Sequence, residues 1–153
     1  MTFTGRAARN GTVVSGIALA AAAALGTPAT AGTQATWPND TFRICTTQGC
    51  GGQAIGGVVW GNRTATVQGS IADYLGRGTT VYFEAYAGAT KIDSDTRTAP
   101  PHDDVSYNFS IGNPDLVGGF DRLKITVCES GKTYCSTPVN ADRDDDPEYL
   151  VWP

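Results

Sequence analysis

The chain has 153 residues, with fifteen acidic side chains against eleven basic ones, one histidine and four cysteines. That length suits one domain. The net charge of −4 argues against nucleic acid and anionic membrane surfaces as partners, which reward clustered lysine and arginine.

The first thirty-one residues read as a secretory signal. Arg6 and Arg9 form a basic head, Val13 to Leu25 is an alanine-rich apolar run, and Ala29-Thr30-Ala31 supplies the small-x-small cleavage pattern. The run is too short to span a bilayer stably. The expectation is therefore an extracellular protein with no membrane insertion, cut after Ala31. The remainder, 32–153, holds nine basic residues against fifteen acidic ones. Its first stretch, Gly32 to Asp40 (GTQATWPND), has no strand alternation and reads as a mobile arm carrying Trp37 and Pro38.

From Thr41 onward, period-2 alternation dominates. Ala65, Val67 and Ile71 alternate with polar residues in 64–71. The same pattern recurs with Val81, Phe83, Ala85 and Ala87, then Val105, Tyr107, Phe109 and Ile111, then Leu123, Ile125 and Val127. Each segment predicts a strand with one buried face. Shorter candidates cover 41–45, 57–60, 91–97 and 133–139. Glycine, proline and asparagine punctuate the gaps, and Gly49 to Gly52 reads as a turn. No segment after residue 31 shows sustained helical periodicity. About seven or eight short strands over 41–139 predict an antiparallel, immunoglobulin-like β-sandwich, with barrel closure as the alternative. Residues 140–153 (NADRDDDPEYLVWP) read as an acidic tail with an apolar end.

Cys45, Cys50, Cys128 and Cys135 make an even set, which in a secreted chain predicts two disulfides. Local pairing, Cys45–Cys50 and Cys128–Cys135, is preferred because Gly49 and Gly131 allow tight turns in both loops. Each such short loop stabilises by roughly 2 to 2.5 kcal/mol. The rival Cys45–Cys128 would join distant strands. Zinc needs closer thiolate spacing or more histidine.

The candidate chemistry is sparse. His102, in Pro101-His102-Asp103-Asp104, reads as a solvated loop residue rather than half of a hydrolytic dyad. Asp103-Asp104 and Asp93/Asp95 are the available carboxylate pairs for glycoside chemistry. Asp142, Asp144 and Asp146 alternate in the acidic stretch and suit Ca2+ by ligand type. Pro147 stands where an EF-hand loop needs glycine, leaving a looser site or a solvated linker. Tyr82 and Tyr86 fall on the outward phase of their strand, flanking Glu84, and offer rigid contact area. With Trp37, Pro38 and Trp152 they are the candidate partner-binding residues.

The plan resembles small secreted actinobacterial β-sandwich proteins with two disulfides. The loop Cys45-Thr46-Thr47-Gln48-Gly49-Cys50 is similar to the C-x4-C loop in the apoproteins of enediyne chromoproteins. That family implies an immunoglobulin-like fold and two local disulfides. Here the short loop comes first rather than last, and the second spacing is six residues, so no ligand-contacting residue carries over. The leading expectation is a non-enzymatic binding module for another secreted protein, such as an adaptor or accessory subunit of an extracellular complex or toxin assembly. The alternatives are an inhibitor of an extracellular enzyme, with the Cys45–Cys50 loop as bait, and a small-molecule carrier with a cleft between sheets.

Overall fold

Alternating apolar residues turn one face of the strands Thr64–Asp73, Thr79–Ala87, Asp104–Gly112 and Arg122–Glu129 into a shared interior. A computed structural model describes residues 39–152 apart from 48 and 145, with the side chains of Ser130 and Trp152 not described. The strands are β1 (Asp40–Cys45), β2 (Gly52–Trp60), β3 (Thr64–Asp73), β4 (Thr79–Ala87), β5 (Thr90–Ala99), β6 (Asp104–Gly112), β7 (Arg122–Glu129), β8 (Tyr134–Cys135), β9 (Val139–Asp142) and β10 (Tyr149–Trp152). One sheet runs β10-β1-β2-β3-β6. The other runs β5-β4-β7, with β8 and β9 both on the far side of β7. All pairings are antiparallel except β1 with β10.

The inward phases read from sequence are the buried ones. Val67, Ile71, Val81, Phe83, Ala85, Leu123, Ile125 and Val127 are all fully buried. They join Phe42, Ile44 and Val58 from the first sheet in one apolar core. Phe83 stands at its centre, 6.2 Å from the Phe42 ring, 5.7 Å from Tyr107 and 5.2 Å from Phe109. Gly56 and Gly69 face each other across β2 and β3. The Phe42 ring lies 2.8 Å from where a Gly56 Cβ would sit, so only glycine admits that ring.

Both disulfides are local: Cys45–Cys50 and Cys128–Cys135. Cys128 and Cys135 are directly opposed across β7 and β8, as the hairpin reading requires.

Four boundaries differ from the sequence reading. The glycine run 49–52 ends inside β2, which starts at Gly52 rather than Gly57. The segment 133–139 is broken into β8 and the start of β9. Pro138 has no N–H to give the ladder, while Ser136 continues it by hand: its N–H donates to the Val127 carbonyl (2.7 Å) and its hydroxyl accepts the Val127 N–H (3.0 Å). Asp40, assigned to the arm, is the first residue of β1 and is buried. Finally, 140–153 is not a tail. Val139 to Asp142 pair with β7, and Tyr149 to Trp152 form the edge strand beside β1, so the acidic run between them crosses from one sheet to the other. Its apolar residues are too few for a periodic signal, yet Ala141 is fully buried and Leu150 packs against the core.

Candidate functional site

Strand alternation on β4 turns Tyr82, Glu84 and Tyr86 to the outer face of the second sheet, while Val81, Phe83 and Ala85 fill the core. The β4–β7 register then sets Thr126 opposite Tyr82, Lys124 opposite Glu84 and Arg122 opposite Tyr86. Opposed charges and cation–aromatic pairs at these cross-strand positions attract. Lys124 Nζ lies 3.0 Å from Glu84 Oε2, and Lys91 Nζ lies 3.2 Å from Glu84 Oε1. The Arg122 guanidinium sits 4.7 Å over the Tyr86 ring. The Lys124 hydrogen bond, opposed by burial and reinforced by Lys91, holds the Glu84 carboxyl below its ordinary value.

Beside Tyr82 the face opens into a groove of about 310 Å³, lined by Tyr82, Glu84, Lys124, Thr126, Cys128, Lys132, Cys135 and Pro138. Its wall is the loop that Cys128–Cys135 closes. Within that loop Gly131 and Lys132 both take positive φ, 63° and 79°. Such a conformation costs a lysine of order 1 kcal/mol or more and persists only where the surroundings impose it. Here it brings the Lys132 ammonium 4.9 Å over the Tyr82 ring.

The tyrosines therefore occupy the shared outward face that alternation predicts. Their neighbours Lys124 and Arg122 were legible as the outward phase of β7, but Lys132 was not, since its position depends on a left-handed backbone. Trp37 and Pro38 lie outside the described residues. The backbone of Trp152 pairs with Ile44 in the β1–β10 ladder.

The other candidates are tied to structure. His102 takes a positive φ of 59°, and its ring packs against the position of a Gly76 Cβ. Asp93 accepts the N–H groups of Ser94 and Gly112. Asp95 caps Thr96 and pairs with Arg97, and Asp103 caps Asp104. Two buried carboxylates gave no signal in the sequence. Glu129, at the end of β7, accepts the Thr46 hydroxyl and lies 3.8 Å from the Arg77 guanidinium. Asp73 accepts N–H groups from His102 and Gly76 and the Thr79 hydroxyl. Burial alone would raise its pKa, but these donors outweigh burial and hold it low.

Asp142, Asp144 and Asp146 are not gathered as metal ligands. Among the described residues no group of three or more His, Cys, Asp or Glu side chains is placed to hold a metal ion. The alternation has a local explanation instead. The Asp144 N–H donates to the Asp142 carbonyl and the Asp144 carboxylate accepts the Asp146 N–H, each at 3.0 Å, so Asp144 caps its own turn.

The crossing segment is nevertheless electrostatically loaded. Burial, with the carboxylates of Asp144, Asp121 and Asp40 and against the pull of Arg122, raises the Asp142 pKa. Burial and the carboxylates of Asp142, Asp40 and Asp144 raise that of Glu148, whose Oε2 has no hydrogen-bond partner among the described residues. A carboxyl with a raised folded pKa contributes stability that is present below its unfolded value and is lost as pH rises through the folded value. Stability should thus decline as pH rises through and beyond the ordinary carboxylate range, from about pH 4 upward. Asp142→Asn should flatten that decline in thermal melts; an unaltered slope would show that the cluster does not couple to folding. Asp73 and Glu84 act oppositely, losing their contribution as pH falls below the ordinary range.

No family model, curated protein or solved structure matches this chain.

Proposed function

We propose that the chain is a non-enzymatic, secreted protein-binding module, serving as an adaptor or accessory subunit of an extracellular complex. The observation that carries this reading is the outer face of the second sheet. There two half-exposed tyrosines on one strand are each covered by a cation, Lys132 over Tyr82 and Arg122 over Tyr86, and Tyr82 borders a groove. Aromatic side chains locked in place lose little entropy on docking, and interfaces favour them for that reason. Two local disulfides suit an oxidising extracellular setting. The outer face of the first sheet exposes Ile55, Val59, Tyr149 and Val151. That supplies the second surface an adaptor requires.

We read the strand succession as immunoglobulin-like. The chain lays β2 and β3 in one sheet, crosses to β4 and β5, returns as β6 beside β3, and crosses again as β7 beside β4. In this reading β1 and β10 are an added pair at one edge. The arm before Asp40, with Trp37 and Pro38, adds a further contact to the partner.

The test is capture from culture medium on the immobilised protein. A stoichiometric protein partner should be retained. Tyr82→Ala and Tyr86→Ala should each weaken retention by at least about tenfold, since an interface aromatic anchor is typically worth 1.4 kcal/mol or more. Removal of residues 32–38, sparing Asp40, should weaken it without shifting the melt. Val117→Ala, in the exposed loop between β6 and β7, should leave it unchanged. Retention indifferent to both tyrosines would overturn the assignment of this face.

A further inference from the structure

The chain contains three lysines, Lys91, Lys124 and Lys132, and all three converge on Tyr82 and Glu84. Arg122 extends the row along the same strand as Lys124. This concentration of cations stands on a protein of net charge −4. Glu84, the one carboxylate among the described residues that line the groove, is already shared between Lys91 and Lys124. Lys132 is exposed, and among the described residues no carboxylate pairs with it. Its ammonium is presented at the groove by the closed disulfide loop and a left-handed backbone, so the cation is set in place before any ligand arrives.

From this placement we propose that the groove takes an acidic, extended segment of the partner protein, with a carboxylate at Lys132 and Lys124 and an adjoining side chain against Tyr82. The proposal rests on the protein-binding reading and adds the chemistry of the segment bound. At physiological salt the Debye length is about 8 Å. A short peptide in the groove therefore meets the local cations, while a long polyanion also meets the acidic remainder of the surface. The groove volume of about 310 Å³ fits a side chain or two and no large cofactor.

The probe is acetylated, amidated tetraglutamate, with tetraglutamine as its neutral counterpart, titrated into the 15N-labelled protein. Tetraglutamate should move the amide signals of Tyr82, Thr126 and Lys132, and its affinity should fall at least about threefold from 50 to 300 mM salt. Lys132→Gln and Lys124→Gln should each weaken it about fivefold, whereas Arg43→Gln on the opposite sheet should not. Tetraglutamine should move none of these signals. Equal binding of both peptides, or tetraglutamate binding indifferent to Lys132, would overturn the acidic ligand. If neither peptide reaches the groove while capture still depends on Tyr82, the acidic chemistry fails and the docking face stands. If capture is also indifferent to Tyr82, both fail.

Discussion

Replacing Asp40 with alanine should destabilise the protein by about 3 kcal/mol, far more than loss of a residue from a solvated arm. Asp40 is almost wholly buried at the start of β1. Its Oδ2 accepts the Trp60 indole N–H at 2.7 Å, and its Oδ1 accepts the Glu148 backbone N–H at 2.9 Å. One carboxylate thus ties β1 to β2 and to the segment entering β10. Hydrogen bonds to a charged group contribute about 1.5 to 3 kcal/mol each, and alanine would leave two donors without their acceptor. One effect opposes this. Asp40 is among the charges that raise Asp142 and Glu148, so its removal relieves some repulsion. Those two groups are not deeply buried, and screened pairs of that kind are worth at most about 1 kcal/mol. The lost hydrogen bonds win. Asparagine should rescue little, because its amide N–H2 would face one of the same two donors. Denaturant unfolding checks both variants; a loss below about 1 kcal/mol for Asp40→Ala would mean that the clamp does not hold the strands together.

Phe83→Ala should cost about 3 to 5 kcal/mol, the usual range for deleting a fully buried phenylalanine. Its ring lies on β4 of one sheet and meets Phe42 on β1 and Tyr107 and Phe109 on β6 of the other. It has no solvent exposure. The cavity left by alanine is walled by backbone of two hydrogen-bonded sheets, which cannot collapse freely to fill it. Phe83→Leu keeps most of the volume and should cost less than about 1.5 kcal/mol. Against a typical total of about 5 to 15 kcal/mol, the alanine variant approaches the threshold of unfolding at ambient temperature. Guanidinium denaturation should show the midpoint falling in the order wild type, leucine, alanine, with the slope unchanged. Equal midpoints for leucine and alanine would place the core's centre elsewhere.

The sequence by itself determined four of the long strands (β3, β4, β6 and β7), which of their faces are buried, and the two local disulfides. Each is a short-range property. Side chains two residues apart share a face of a strand, and cysteines separated by a glycine turn meet across a hairpin. The outward placement of Tyr82 and Tyr86 follows from the same alternation. Only the tertiary structure decided the rest. The parallel pairing of β1 with β10 joins Thr41 to Tyr149, and no local period encodes a partner that distant. Asp40 reads as polar arm and Glu129 carries no signal, because burial of a carboxylate depends on donors brought from elsewhere: Trp60 and Glu148 for one, Thr46 for the other. Phe120, in a glycine-rich loop, is drawn into the core by the Trp60 ring 5.2 Å away. Lys132 enters the groove through a left-handed backbone that a disulfide loop imposes and residue order does not reveal. Apolar alternation is written into neighbouring residues, whereas the satisfaction of buried charges and strand edges is settled only when distant segments meet.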